Sequence, residues 1–262
     1  MIIMALECSA VSASVALVEE DRLLAESFIN VRLTHSQTLM PMAESLLRSA
    51  CLMLDQVVGF AVSSGPGSFT GVRIGVAAVK GMAQALGRPC AGISTLEAMA
   101  WQTAAMLQSV DAAGRFVLCP VMDARCSQVY NALFDLPFGS KGAPLRPVDN
   151  AAVGTLAAPV RRCEDRALSL ESLGEELKIL KECPYLVGDG AALCYNAFEK
   201  AGINCRLAPE GSRYQRAYGV ALAAQARFQA GEEQDACDLQ PVYLRLPQAE
   251  RDLKKQRSEK EE

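Results

Sequence analysis

A chain of 262 residues, half of them hydrophobic and carrying a net charge of −4, is long enough for one large domain or two small ones with an ample core. Its apolar runs stay short of the roughly 18 residues of a membrane span, and Met1 to Leu6 lack the basic stretch of a secretory signal. A cytoplasmic protein without membrane contact is expected. Cations cluster only at Arg161-Arg162 and in the tail, so nucleic acid is not expected to bind unaided, because that binding relies on concentrated Lys and Arg. The ten cysteines are scattered and form no C-x-x-C pair. Zinc-ribbon and thioredoxin chemistry are thereby excluded, and reduced, buried thiols are expected.

In chain order, 2–6 and 13–18 read as strands, Glu19-Glu20-Asp21 as a turn, and 23–29 as a third strand. Apolar residues at helical spacing (Leu39, Ala43, Leu46, Ala50, Met53) predict a helix over 36–54, with Pro41 near its first turn or bending it. A strand over 57–62, a helix over 71–86, a strand over 90–93 and a helix over 96–107 follow. Strands over 115–122 and 127–134 then begin a repeat of the pattern. A Gly/Pro loop spans 137–147. A helix over 168–181, a strand over 184–187 and helices over 191–201 and 214–230 complete the chain. The stretch 250–262 is mostly charged, with Leu253 its one apolar residue, and is expected to be disordered.

The most informative stretch is Gly65-Pro66-Gly67-Ser68-Phe69-Thr70-Gly71-Val72-Arg73-Ile74-Gly75, lying between a strand and a helix. A glycine turn at a helix N-terminus suggests phosphate, yet no Gly-Lys pair exists for a P-loop, and Thr70 stands where a dinucleotide fingerprint needs glycine. Ser68 or Thr70 reads as the N-cap rather than as a nucleophile, since the only histidine is His35.

This motif resembles the hallmark of the bacterial TsaB (YeaZ) family. Further matching pieces follow in family order: His35-Ser36-Gln37 with Leu39-Met40-Pro41-Met42, Ser94-Thr95-Leu96, Asp123-Ala124-Arg125 with Gln128-Val129-Tyr130, and Pro241-Val242-Tyr243-Leu244-Arg245. The resemblance implies an α/β chain of the actin-like, Hsp70-type ATPase fold: two ribonuclease-H-like lobes, the second reduced. The first lobe is expected over 1–108, with a C-terminal helix at 213–231 packing back on it. The reduced lobe is expected over 109–212, and the charged tail over 247–262.

That fold binds ATP between its lobes through two acidic turns and a glycine turn under adenosine. The corresponding positions are Glu7, Asp123 and the pair Gly188 and Gly190. Glu7 is one methylene longer than the aspartate such a site prefers, and Arg125 and Cys126 replace a glycine that lets backbone approach phosphate. The cleft is therefore expected to be degenerate, with no cofactor. The rival reading, an active ATP-dependent phosphotransferase, would need Mg²⁺ held by Glu7 and Asp123. The resemblance also implies that the catalytic paralogue holds its metal through an H-x-x-x-H pair, which a single histidine cannot supply. No catalytic residue and no metal site are expected; peptidase chemistry lacks a nucleophile–base pair.

Within 71–86 the strongly polar residues Arg73, Lys80 and Gln84 form with Ala77 one narrow stripe, narrower than a solvent-facing helix usually shows. Gly71, Gly75 and Gly81 cost helix propensity, and close approach of another backbone is the expected benefit. By resemblance, this helix and the preceding one pair with a TsaD-type catalytic paralogue, or with a second copy when the chain is alone. Leu39, Met42, Leu46, Arg73, Val76, Ala77 and Lys80 are the expected contacts. A TsaE-type ATPase joins the assembly, and tRNA is met only indirectly. The implied function is that of a non-catalytic subunit in making N6-threonylcarbamoyladenosine at position 37 of tRNA.

Overall fold

A computed structural model of the chain describes residues 1–20, 22–107, 116–136 and 158–245. The loop expected over 137–147, the strand start at 115 and the charged tail 247–262 lie outside them. The first sheet is built from β1 (Ile2–Glu7), β2 (Ala13–Glu19), β3 (Arg22–Ile29), β4 (Gly59–Gly65) and β5 (Cys90–Ser94), in the order β3-β2-β1-β4-β5. β1, β2 and β3 are antiparallel neighbours, whereas β4 and β5 continue from β1 in parallel. Parallel neighbours need helical crossovers, which put helices on both faces of the sheet.

The two-residue period of a strand sorts the side chains. Met4, Leu6, Val15, Leu17, Phe60 and Val62 face one way, packing on Leu39 and Leu46 of α1 (His35–Ser49) and Val72, Val76 and Val79 of α2 (Phe69–Leu86). Ile3, Ala5, Ala16, Ala61 and Ala91 face the other way, against Ala217, Val220, Ala221 and Ala224 of α7 (Ala217–Ala230). Alanine on both sides of that seam lets the last helix lie close to the sheet. α2 starts at Ser68, whose hydroxyl accepts from Gly71 N at 3.3 Å, and stops at Gly87 in the left-handed conformation.

The second sheet repeats the plan with β6 (Phe116–Asp123), β7 (Gln128–Asn131), β10 (Arg166–Ser169), β11 (Pro184–Val187) and β12 (Arg206–Leu207), in the order β10-β7-β6-β11-β12. The short pair β8 (Phe134–Leu136) and β9 (Val160–Arg161) extends it beside β6. One face packs on α4 (Leu170–Ile179) and α5 (Ala191–Lys200); α6 (Glu210–Arg213) is a single turn. The other face carries Leu118, Met122, Phe134 and Val187, and meets Leu96 and Met99 of α3 (Thr95–Leu107). Two sheets with one strand order and one set of directions are two ribonuclease-H-like lobes, the arrangement of the actin-like ATPase fold. α3 joins them through a shared apolar core.

Several elements differ from the sequence expectation. α1 stops at Ser49 rather than at 54, because Cys51 turns left-handed (φ 54°) and a 3-10 turn, Leu54–Gln56, brings Leu52 and Leu54 back onto the core. Pro41 sits inside α1, in the second turn, on its exposed side. The predicted strand 127–134 is two strands, β7 and β8, and the predicted helix 168–181 begins as strand β10. The ten cysteines are all free, but Cys51, Cys126 and Cys237 are exposed rather than buried.

Candidate functional site

The glycine turn between β4 and α2 is occupied by the chain itself. A side chain at Gly71 would collide with the Cys8 carbonyl, and one at Gly67 with the Ser9 carbonyl, because the β1–β2 turn lies across the start of α2. Ser68 N donates to Ser9 O at 2.6 Å, and Cys8 Sγ donates to Gly71 O at 3.1 Å. Gly65 (φ 122°) is crossed by the Val242 carbonyl of the C-terminal segment. The close approach that these glycines allow is therefore intramolecular. Gly81 differs: no atom lies within 4 Å of where its side chain would be.

The acidic positions meet at the lobe junction without forming a metal cradle. Glu7 is fully buried at the end of β1; its Oε1 accepts from Ser9 N at 2.6 Å, while its Oε2 has no hydrogen-bond partner. Burial pushes this carboxyl above its ordinary range, against contacts with Ser9 and Ser63 that lower it, and the charge of Asp189 adds to the rise. Asp189 is pushed up to about 6, first by burial and further by the Asp123 charge, although Gln215 Nε2 donates to it at 2.7 Å. Asp123 is tied to its own turn by Arg125 N at 2.8 Å and the Arg125 guanidinium at 3.2 Å. Among the described residues, the one set of His, Cys, Asp and Glu close enough to share an ion is Asp235, Cys237 and Asp238, all exposed.

The turn expected under adenosine is closed as well. Gly188 N donates to Arg213 O at 2.7 Å and Gly190 N to Val121 O at 3.2 Å. Side chains at these two positions would run into the Val121 carbonyl and into the backbone of Met122 and Asp123. The N–H groups that would cradle a ligand are committed to the fold, so the phosphotransferase reading finds no support in this geometry.

Of the residues expected at the partner face, Leu39, Leu46 and Val76 are 0%, 7% and 4% exposed and pack in the core between helices and sheet. They face the sheet because helical spacing puts them on the same side as Ala43, Val72 and Val79. Ala77 and Arg73 are exposed, and Met42 and Lys80 are half-buried. Arg73 and Lys80 are held within the chain: Arg73 Nε donates to the Tyr243 hydroxyl at 3.0 Å, and Lys80 Nζ donates to the carbonyls of Cys237 and Leu239 at 3.0 and 3.1 Å. The outward surface of α1 and α2 therefore centres on Met40, Met42, Ala77, Gly81 and Gln84. His35 Nε2 lies 2.8 Å from Ala10 O and ties the entry of α1 to the β1–β2 turn.

The family model for tRNA N6-adenosine threonylcarbamoyltransferase (TsaD) matches residues 30–253. The tRNA threonylcarbamoyladenosine biosynthesis protein TsaB of Bacillus subtilis (strain 168) is 34% identical over 142 residues, 53% of this chain and 57% of that protein. TsaB of Escherichia coli (strain K12) is 32% identical over 133 residues, 50% of this chain and 53% of that protein. The crystal structure of YeaZ from Pseudomonas aeruginosa superposes with a TM-score of 0.67 at 25% identity, covering 93% of this chain and 99% of that one. A second structure, of a protein with similarity to peptidase YEAZ from Pseudomonas aeruginosa, gives 0.69 at 26% identity over the same shares. The chain belongs to the TsaB (YeaZ) family. It spans about half the length of the curated TsaB relatives it matches.

The family pieces that are far apart in sequence converge at this junction. The ring of Tyr243 stacks on Phe69 with centroids 4.6 Å apart, and the Arg73 guanidinium lies 3.8 Å from the Phe69 centroid. Val242 N donates to Ser64 O at 2.7 Å, and Arg245 donates to the Ala124 carbonyl. The part played by Val242, Tyr243 and Arg245 was not read from the sequence. Its one signal there was the last of the TsaB family pieces, Pro241 to Arg245.

Proposed function

We propose that this chain is the TsaB-type, non-catalytic subunit of tRNA N6-threonylcarbamoyladenosine synthesis. It binds and stabilises a TsaD-type transferase through the outer faces of α1 and α2, and a TsaE-type ATPase joins the pair in the cytoplasm. The transferase supplies the metal and the contacts to tRNA. Alone, the chain pairs with a second copy through the same helices. One observation carries the reading: a chain matched by the transferase model over residues 30–253 packs its own β1–β2 turn and C-terminal segment onto the glycine turn after β4. Such a chain keeps the fold of the transferase while the Gly188 and Gly190 N–H groups, expected under adenosine, bond to its own carbonyls.

Reconstitution tests it. A TsaD-type protein, a TsaE-type ATPase, ATP, threonylcarbamoyl adenylate and tRNA should give the modified nucleoside only when this chain is added. This chain with adenylate and tRNA alone should give none. Modification by this chain alone would contradict the proposal, and so would full activity in its absence.

A further inference from the structure

We propose that the C-terminal segment 234–245 is an intramolecular clasp that holds the two lobes together, with Arg245 as its closing contact. The segment starts as an antiparallel bridge on the edge of the first sheet, Cys90 N to Gln234 O at 2.9 Å and Gln234 N to Cys90 O at 2.8 Å. Ala236 and Leu239 then enter the core shared with α1 and α2, and Lys80 binds the carbonyls on either side of that entry. Past Leu239 the chain crosses the glycine turn: Val242 bonds Ser64, its carbonyl sits over Gly65, and Tyr243 wedges against Phe69 and Arg73. Arg245 then leaves the first lobe and donates to Ala124 O, in the β6–β7 turn of the second.

The side on which this happens gives the segment its role. α3 joins the lobes through Leu96 and Met99 against Leu118 and Met122, and Gln102 Nε2 donates to the carbonyls of Ser212 and Tyr214 at 3.0 and 3.1 Å. α3 covers the face of the first sheet that α7 covers, through Ala98, whereas the segment packs on the α1 and α2 face. Beside α3 the lobes are also tied by Ser94 Oγ donating to Asp165 and by the Arg161–Glu97 ion pair; the C-terminal segment adds a tie from the opposite face of the first sheet. The turn it grips is strained. Arg125, Cys126 and Ser127 have φ values of 65°, 54° and 55°, a left-handed run that non-glycine residues keep only when their surroundings hold them. Asp123 holds that run from within and Arg245 from the other lobe.

Amide hydrogen exchange on the full chain, without any partner, tests the clasp independently of the proposed function. In Arg245→Ala, amides in 121–129 and 63–70 should exchange about tenfold faster, the factor one hydrogen bond from a charged donor can supply, while β2 and α4 exchange as before. Arg73→Ala touches no residue of the second lobe among its described contacts, yet it loosens the segment and should also speed 121–129. A response of 121–129 to Arg245→Ala alone would reduce Arg245 to a local prop of that turn and overturn the clasp. No response in either variant, or an even rise along the whole chain, would overturn it too.

Discussion

Glu7 and Asp189 approach each other from different lobes, and each is more readily protonated than an ordinary carboxylate because burial penalises its charge. For Asp189 the rise runs from 3.8 to about 6. A carboxyl with a raised native pKa gives stability that is fully present below its unfolded pKa and is lost as pH rises through the native one. The wild type's advantage over Asp189→Asn should therefore shrink from about pH 4 to about pH 6 and stay level above, by roughly 1–3 kcal/mol at one pKa unit per 1.36 kcal/mol. Urea midpoints for both chains across that range would show it, and a difference independent of pH would contradict the burial argument. That two acids stand at strand ends could be read from the sequence. Asp189 gives no such signal in the sequence, because its weight comes from Gln215 and Asp123, which only the fold brings beside it.

Among the elements, the glycine turn shows how far a motif can be read. Its place between strand and helix and its Ser68 cap follow from local chemistry, and both are as expected. The benefit of its glycines could not be assigned, since the Cys8, Ser9 and Val242 carbonyls that cross them come from remote parts of the chain. Two substitutions in α2 separate the cases. Gly71→Ala should destabilise by about 1–3 kcal/mol, because the added methyl meets a backbone carbonyl that cannot move aside. Gly81→Ala, facing open space, should stabilise by about 1 kcal/mol through helix propensity. Thermal melts check both, and a stabilised Gly71→Ala would mean that the β1–β2 turn can shift. The strands of the first lobe were legible because their apolar residues alternate or run unbroken. β9, β10 and β12 were not: they are short, and β10 (Arg-Ala-Leu-Ser) is held by its pairing with β7 and by Arg166 on Asn131, not by local propensity. Of the seven residues expected at the partner face, Leu39, Leu46 and Val76 turn to the sheet, because a helix packed on a sheet shows its apolar stripe to its own core first.

At the scale of the whole molecule, a two-lobed ATPase shape has been turned inward. The β1–β2 turn and the C-terminal segment pack on the glycine turn after β4, and the N–H groups of Ser68, Gly188 and Gly190 bond to the Ser9, Arg213 and Val121 carbonyls. On the surface of α1 and α2 proposed to meet a partner, Ala77 is exposed and Gly81 faces open space, which leaves room for a close neighbour. A carboxylate placed there would be buried unpaired in a complex, a cost of several kcal/mol. The most direct test is the solution mass, by light scattering, of this chain mixed with a TsaD-type protein, using wild type and Ala77→Glu. A one-to-one complex with the wild type, and separate species with Ala77→Glu, is the result the account predicts. Separate species with the wild type, or an undiminished complex with Ala77→Glu, would contradict the helix face as the place where this chain works.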